Sequence, residues 1–243
     1  MNSNKKKTLV FTATYNEASN INELINSIFS NNNDVHVLII DDNSPDNTSN
    51  KISELKKKFK KINLIIRKEK LGLDTAHKKA YDYALENNFD YLITMDADLS
   101  HDPKEINNFL FYLNDYPFVI GSRYINGGKC EMKGFRLFIS YFGNKFIKLV
   151  LNSKSTEFTT SYRGYNLKKL KNFKLNIVDS AGYSFFMSCI FELERKNFEI
   201  KEIPITFYER TKGKSKIEKI EIFRKLKNLI LNFLKKIKWN TLF

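Results

Sequence analysis

The chain has 243 residues and a formal net charge of +14, from 41 Lys and Arg against 27 Asp and Glu. That length suits one domain with a small appendage and a substantial core, and the charge favours polyanions: nucleic acid, phosphorylated substrates or an anionic membrane surface. Cys130 and Cys189 belong to no Cys-x-x-Cys pair or Cys/His cluster, which excludes a disulfide framework and reads as two reduced thiols.

Residues 2–7 run straight into a strand pattern with no cleavable apolar region, so export is not expected. Thr8 to Thr14 reads as a buried strand, followed by a helix expected to begin near Asn16-Glu17 with Ile21, Leu24, Ile25 and Ile28 at helical spacing. Val35 to Ile40 is a second apolar run, ending in Asp41-Asp42-Asn43-Ser44-Pro45-Asp46; Ile52, Leu55 and Phe59 mark the amphipathic helix after it. Ile62 to Ile66 gives a third strand, and Ala76, Ala80, Tyr83 and Ala84 line one side of the next helix. Tyr91 to Thr94 is the fourth strand, and Asp102-Pro103-Lys104-Glu105 signals a helix carrying Ile106, Phe109, Leu110 and Leu113. Phe118 to Gly121 is the fifth strand.

Strands alternating with helices through short loops predict an α/β domain with a mostly parallel sheet flanked by helices and right-handed crossovers. Tyr15 to Glu17, Asp41 to Asp46 and Asp96 to Ser100 then open onto one sheet edge, where ligands of such sheets bind. Asp96 and Asp98, two apart at a strand end, can converge on one hard cation. The spacing alone favours a solvated loop; the convergence of three loops makes it a candidate site.

After Tyr124 the rhythm breaks at Gly127-Gly128. Phe135 to Leu151 is a helix whose apolar residues cover more than one face, with Arg136, Lys145 and Lys148 among them; it suits a core helix or a membrane interface equally. Gly182 to Lys196 reads as another helix, Ile200 to Phe207 as a strand interrupted by Pro204, and Arg210 to Lys216 as a basic loop. From Ile217 to Trp239 a basic amphipathic helix fits either the headgroup region of a membrane or packing on its own domain. Both long apolar zones are broken by Arg or Lys, so neither is expected to span a bilayer, which takes about 18 or more uncharged apolar residues.

Four segments follow one pattern: Thr14-Tyr15-Asn16-Glu17, Asp41-Asp42-Asn43-Ser44-Pro45-Asp46-Asn47-Thr48, Met95-Asp96-Ala97-Asp98-Leu99-Ser100-His101-Asp102-Pro103 and Gly121-Ser122-Arg123-Tyr124. Their order and spacing resemble family-2 glycosyltransferases, and over residues 8–216 the chain looks like the short dolichyl-phosphate (polyprenyl-phosphate) mannosyltransferases that lack transmembrane helices. The resemblance implies a GT-A, Rossmann-like fold in residues 1–216, with the basic helix of 217–243 as a membrane-surface element. It implies an inverting hexosyl transfer from a nucleotide-diphosphate sugar, usually GDP-mannose, to a polyprenyl or dolichyl phosphate, with Mg²⁺ or Mn²⁺. The enzyme would act peripherally at the cytoplasmic face of a membrane.

Carried over residue by residue, Thr14, Tyr15, Glu17, Ile40, Asp42, Asp96, Ala97 and Asp98 would bind the donor, with Asp96, Asp98 and Ser100 at the metal. Arg123, Arg136, Ser140, Arg210 and Lys216 would face the acceptor phosphate, Arg210 to Lys216 closing over the phosphates; Asp96, Asp98 and Arg123 would be catalytic, and His101 is given no catalytic role. The chain departs from the family pattern at Ala13, at Asp74, in Glu157-Phe158-Thr159-Thr160-Ser161-Tyr162-Arg163, and at Phe186 and Ser188, where relatives carry Gln and Glu. The acceptor half therefore matches less well than the donor half. Two other readings stay open. One is the same fold using UDP-glucose, UDP-GlcNAc or another donor for surface glycan synthesis. The other is a non-enzymatic binder of polyanions or membranes; nucleic acid is not expected, because the basic residues are spread out and form no recognised motif.

Overall fold

The computed structural model describes residues 6–210. Its strands are β1 (Thr8–Thr14), β2 (His36–Asp41), β3 (Ile62–Ile66), β4 (Tyr91–Thr94), β5 (Phe118–Ser122), β6 (Lys129–Cys130), β7 (Arg163–Asn166), β8 (Ile200–Pro204) and β9 (Thr206–Phe207). Its helices are α1 (Ile21–Asn31), α2 (Thr48–Lys58), α3 (Leu73–Glu86), α4 (Ile106–Leu113), α5 (Gly134–Leu151) and α6 (Tyr183–Arg195).

Seven strands form one sheet in the order β3-β2-β1-β4-β7-β5-β8, and β6 pairs with β9 in a short separate ladder. β1 to β4 run parallel, as do β5 and β8; β7 lies antiparallel between β4 and β5. The mostly parallel α/β sheet expected from the apolar runs is thus present. From β1 the chain winds outward to β2 and β3, then returns to set β4 on the other flank of β1. That reversal opens a crevice beyond the carboxyl ends of β1 and β4, the usual ligand position in open α/β sheets.

Burial explains why these runs become strands. Leu9, Val10 and Phe11 of β1 and Val37 to Ile40 of β2 are fully buried, so both faces of the central sheet are covered. Ile21, Leu24, Ile25 and Ile28 recur at i, i+3, i+4 and i+7 and place one stripe of α1 in the core.

Two local features differ from expectation, and a third, the break at Pro204, agrees with it. α1 starts at Ile21 rather than near Asn16, because Asn16 is left-handed (φ 58°) and the preceding amides are held by the β2–α2 loop. β7, with the sequence Arg-Gly-Tyr-Asn, lacks the apolar run that marks the other inner strands. Its Gly164 lets α4 approach; a Cβ there would lie 3.0 Å from side-chain carbons of both Leu113 and Phe109. Pro204 ends β8 at the sheet edge, where a missing N–H is tolerated.

α5 is not a core helix: of its 18 residues only Asn144 and Ile147 are buried. Phe135, Phe138, Phe142, Phe146 and Leu149 follow at roughly helical spacing as an exposed stripe, Leu149 at 79%. No described helix is long and apolar enough to cross a membrane. The helix expected at Ile217 to Trp239, and the boundary expected between residues 216 and 217, lie outside the described residues.

Candidate active site

The loops after β1 and β2 are joined by side chains acting as backbone partners. Asp41 Oδ1 accepts from the hydroxyls of Thr14 and Ser44, each at 2.6 Å, and its Oδ2 accepts from the Ser44 amide at 2.8 Å. Ser44 Oγ, Thr48 Oγ1 and Asp46 Oδ2 then accept the amides of Asn16, Glu17 and Ala18. These bonds fix Tyr15 and Glu17 at the crevice rim, and Asn20 donates to Glu17 Oε2 at 2.8 Å.

Asp42 points away from this knot and pairs with Arg67 Nε, while the Arg67 Nη groups donate to Thr75 Oγ1 (2.6 Å) and the Gly72 carbonyl (2.9 Å). Both charges are nearly buried. Arg67 was not among the expected site residues; its signal is a charge closing the apolar run of β3 on the same sheet edge. Lys70 Nζ lies 4.5 Å from the centre of the Tyr15 ring. Ile40 is buried in β2 and its side chain belongs to the core, while Thr14 is buried with its hydroxyl committed to Asp41.

At the end of β4, Asp96 and Asp98 are arranged alike. Ser161 donates its hydroxyl to Asp96 Oδ1 at 2.5 Å. Ser100 donates to Asp98 Oδ1 through its hydroxyl (2.6 Å) and its amide (3.1 Å). Each carboxylate has its Oδ1 held by a serine, and its Oδ2 is held by none. Asp98 Oδ2 is buried and accepts no hydrogen bond among the described residues, although the Arg210 guanidinium lies against it as an ion pair. Burial and the neighbouring Asp98 raise the pKa of Asp96. For Asp98 burial acts in the same direction, but Arg210 and the Ser100 hydroxyl outweigh it and hold the carboxyl below its ordinary value. Ala97 is buried between them, as is Ser100, which serves Asp98.

His101 is more than a loop residue. It is almost fully buried, and its Nδ1 accepts the Asp96 amide at 3.1 Å while Nε2 lies 3.3 Å from Thr160 Oγ1. An Nδ1 that accepts from an amide carries no proton, so the ring is the neutral Nε2–H tautomer with Thr160 as acceptor. Burial lowers its pKa accordingly. The ring stacks on Tyr162 (centroids 4.8 Å apart) and meets the edge of Phe207.

Arg123, at the end of β5, is held by Glu157 in a bidentate pair (2.7 Å for Nε and for Nη2), and Nη2 also reaches Thr159 Oγ1 at 2.7 Å. Burial opposes the charge on both partners, but each outweighs it for the other, raising Arg123 and lowering Glu157. Phe207 lies 5.1 Å from Arg123 and 5.5 Å from His101, linking the two halves of the crevice. Glu157 was noted only as a departure from the family pattern.

On α5, Arg136 is exposed and Ser140 shares a 2.6 Å hydrogen bond with the Tyr124 hydroxyl. Lys216 lies outside the described residues. Two other departures now have physical roles. Asp74 Oδ1 accepts the Gly182 amide at 3.0 Å, joining α3 to the start of α6. Phe186 is buried edge-on to His77 (5.0 Å) and 4.8 Å from Arg163, which donates to its carbonyl.

The sequence model of glycosyl transferase family 2 matches residues 9–173. The chain belongs to this family. It is therefore a glycosyltransferase. A polyprenol monophosphomannose synthase from Mycolicibacterium smegmatis is 33% identical over 215 residues, covering 87% of this chain and 81% of that protein. An undecaprenyl-phosphate mannosyltransferase from Micrococcus luteus is 32% identical over 212 residues, covering 87% of each. Among solved structures, a glucosyl-3-phosphoglycerate synthase from Mycobacterium tuberculosis, in complex with Mn²⁺, UDP and glucosyl-3-phosphoglycerate, superposes with a TM-score of 0.67. Its identity is 14%, over 95% of this chain and 80% of that one. A mannosyltransferase from Pyrobaculum calidifontis in complex with GDP-Man and Mn²⁺ gives a TM-score of 0.54 and 16% identity, over 82% of this chain and 55% of that one. At such identities the structural likeness shows the shared GT-A fold alone.

Proposed function

We propose that this glycosyltransferase moves a mannosyl residue from GDP-mannose to a polyprenyl or dolichyl phosphate, with Mg²⁺ or Mn²⁺, at the cytoplasmic face of a membrane. The observation that carries this reading is the pair of Oδ2 oxygens of Asp96 and Asp98 at the switch point, each on a carboxylate whose other oxygen is tied to a serine. The two mannosyltransferase relatives support the sugar and the lipid acceptor.

Two hard carboxylate oxygens that no serine holds, that of Asp98 already facing the Arg210 cation, fit a divalent ion. Asp96 and Asp98 would hold it, and Ser100 would orient Asp98. When bound, the ion supplies Lewis-acid neutralisation of the departing diphosphate. Tyr15, Glu17 and Asp42 would hold the nucleoside, Asp42 fixed by Arg67. Arg210 places a further positive charge beside Asp98, on the side where the diphosphate would carry its charge.

In the transfer, an acceptor phosphate oxygen forms a bond to the anomeric carbon as the bond from that carbon to the donor phosphate breaks, and the nucleoside diphosphate leaves with the electron pair. A single displacement inverts the anomeric centre. A phosphate monoester is largely ionised at neutral pH, so no general base is required. Neutral, fully engaged His101 suits that absence of proton transfer. Arg123 would contribute from within its pair with Glu157, as fixed positive charge toward the acceptor, and Arg136, Ser140 and Lys216 are assigned to the same acceptor phosphate. The exposed stripe of α5, flanked by Arg136, Lys145 and Lys148, supports a peripheral position at a bilayer surface.

Incubation with GDP-mannose, UDP-glucose or UDP-GlcNAc, a short-chain polyprenyl phosphate and Mn²⁺, followed by mass spectrometry of the lipid, tests the reading. The expected product is lipid-linked hexose from GDP-mannose alone. A product only from a UDP-sugar would transfer the assignment to that donor.

A further inference from the structure

The carboxylate of Asp96 is aimed by residues more than sixty positions downstream. We propose that Ser161 is a positioning residue for Asp96. Its hydroxyl ties up Oδ1 and so commits Oδ2 to the ligand, while His101, braced by Thr160, fixes the Asp96 main chain. The inference rests on the reading above that Asp96 contacts the metal and diphosphate, and adds the part that sets its geometry.

Four observations carry it. The Ser161 Oγ to Asp96 Oδ1 distance is 2.5 Å, in the range of an O–H donor to a charged acceptor. The adjacent residue, Thr160, meets His101 Nε2 at 3.3 Å while His101 Nδ1 takes the Asp96 amide at 3.1 Å, so one dipeptide controls both the side chain and the backbone of Asp96. Ser161 and Thr160 are buried, which shields these bonds from exchange with water. The dipeptide is itself anchored: Arg163, fully buried, donates to the carbonyls of Thr160 and Phe158, and Thr94 of β4 donates to the Ser161 carbonyl at 2.5 Å. Ser161 repeats for Asp96 what Ser100 does for Asp98, although it reaches the site from the far side of β4. Groups that orient a metal-binding carboxylate in this way typically change metal affinity by 10–100-fold when removed.

The test is calorimetric titration of Mn²⁺ into the full chain saturated with GDP, comparing wild type, Ser161→Ala, Ser161→Thr, Thr94→Val and Asp96→Ala. Thr94→Val removes a hydrogen bond from the same segment without touching Asp96, so it reports general loosening. The expected result is Mn²⁺ binding about ten-fold weaker in Ser161→Ala, near wild type in Thr94→Val, and restored in part in Ser161→Thr, which keeps the hydroxyl. Melting temperatures measured without Mn²⁺ verify that each variant is folded. Equal weakening in Ser161→Ala and Thr94→Val, or unchanged affinity in Ser161→Ala while Asp96→Ala loses binding, overturns the role of Ser161. Unchanged affinity in Asp96→Ala overturns instead the reading on which it rests.

Discussion

The two sides of the crevice are built on different principles. On the donor side, a buried hydroxyl-to-carboxylate bond joins the ends of β1 and β2, and beyond β4 a serine hydroxyl holds one oxygen of each of Asp96 and Asp98. On the acceptor side, Arg123 is locked to Glu157, and beyond it α5 presents a row of Phe residues to the outside. The difference teaches where each substrate's binding energy is prepared. A small charged donor is met by groups oriented before it arrives. In the proposed reaction a long apolar acceptor would need surface and access, and the exposed stripe of α5 would offer both.

The comparison can be broken by uncoupling either side. Glu157→Ala should have the largest effect, because it leaves Arg123 buried without its partner; a loss of roughly 3–5 kcal/mol in unfolding stability is expected from denaturant titration. Should stability stay within about 1 kcal/mol, the acceptor side is not organised by this pair.

His77 sharpens the donor side. It is fully enclosed, edge-on to Phe11 and Phe186, and burial depresses its pKa to about 3 from 6.5. Since the folded value is the lower one, the unfolded chain binds the extra proton between those limits, and stability falls as pH drops through that window. His77→Leu should remove this part of the acid limb, a gain over wild type of roughly 2–3 kcal/mol at pH 4.5 relative to pH 8. Parallel acid limbs for the two proteins would show that His77 is not held neutral.

Phe138→Glu with Phe142→Glu should abolish flotation with anionic vesicles while leaving unfolding stability within about 0.5 kcal/mol, as befits surface positions. Retained flotation would remove α5 from the membrane account. The smallest effect is expected at Lys57, whose bond to Glu54 is exposed; Lys57→Ala should shift stability by less than about 0.5 kcal/mol.

Legibility from sequence follows the same divide. The donor side was readable because β1 to β4 are continuous apolar runs and Asp41, Asp42, Asp96 and Asp98 stand at their ends, so periodicity alone places them on one edge. What it could not give were partners remote in sequence. Arg67, Glu157 and Ser161 reach their carboxylates or guanidinium across 25, 34 and 65 positions, and each looks like an ordinary polar residue until β3 and β7 are placed. β7 itself was hidden because an inserted strand of Arg-Gly-Tyr-Asn carries no apolar period. The two faces of α5 could not be separated in the sequence, since Asn144 is one of its two buried residues and all four of its Phe residues are exposed, the reverse of the usual sorting.

The central claim is that Asp96 and Asp98 hold the metal and diphosphate of a sugar donor whose acceptor needs no base. The most direct measurement is the initial rate of lipid-linked mannose formation from GDP-mannose and a polyprenyl phosphate across Mn²⁺ concentrations, for wild type and Asp98→Ala. The account predicts a wild-type rate that saturates with Mn²⁺ and is abolished by EDTA, with Asp98→Ala slower by about 10²-fold or more, the scale of losing a principal electrostatic contact to the leaving group. An Asp98→Ala enzyme as fast as wild type, or a wild-type rate indifferent to EDTA, would contradict it.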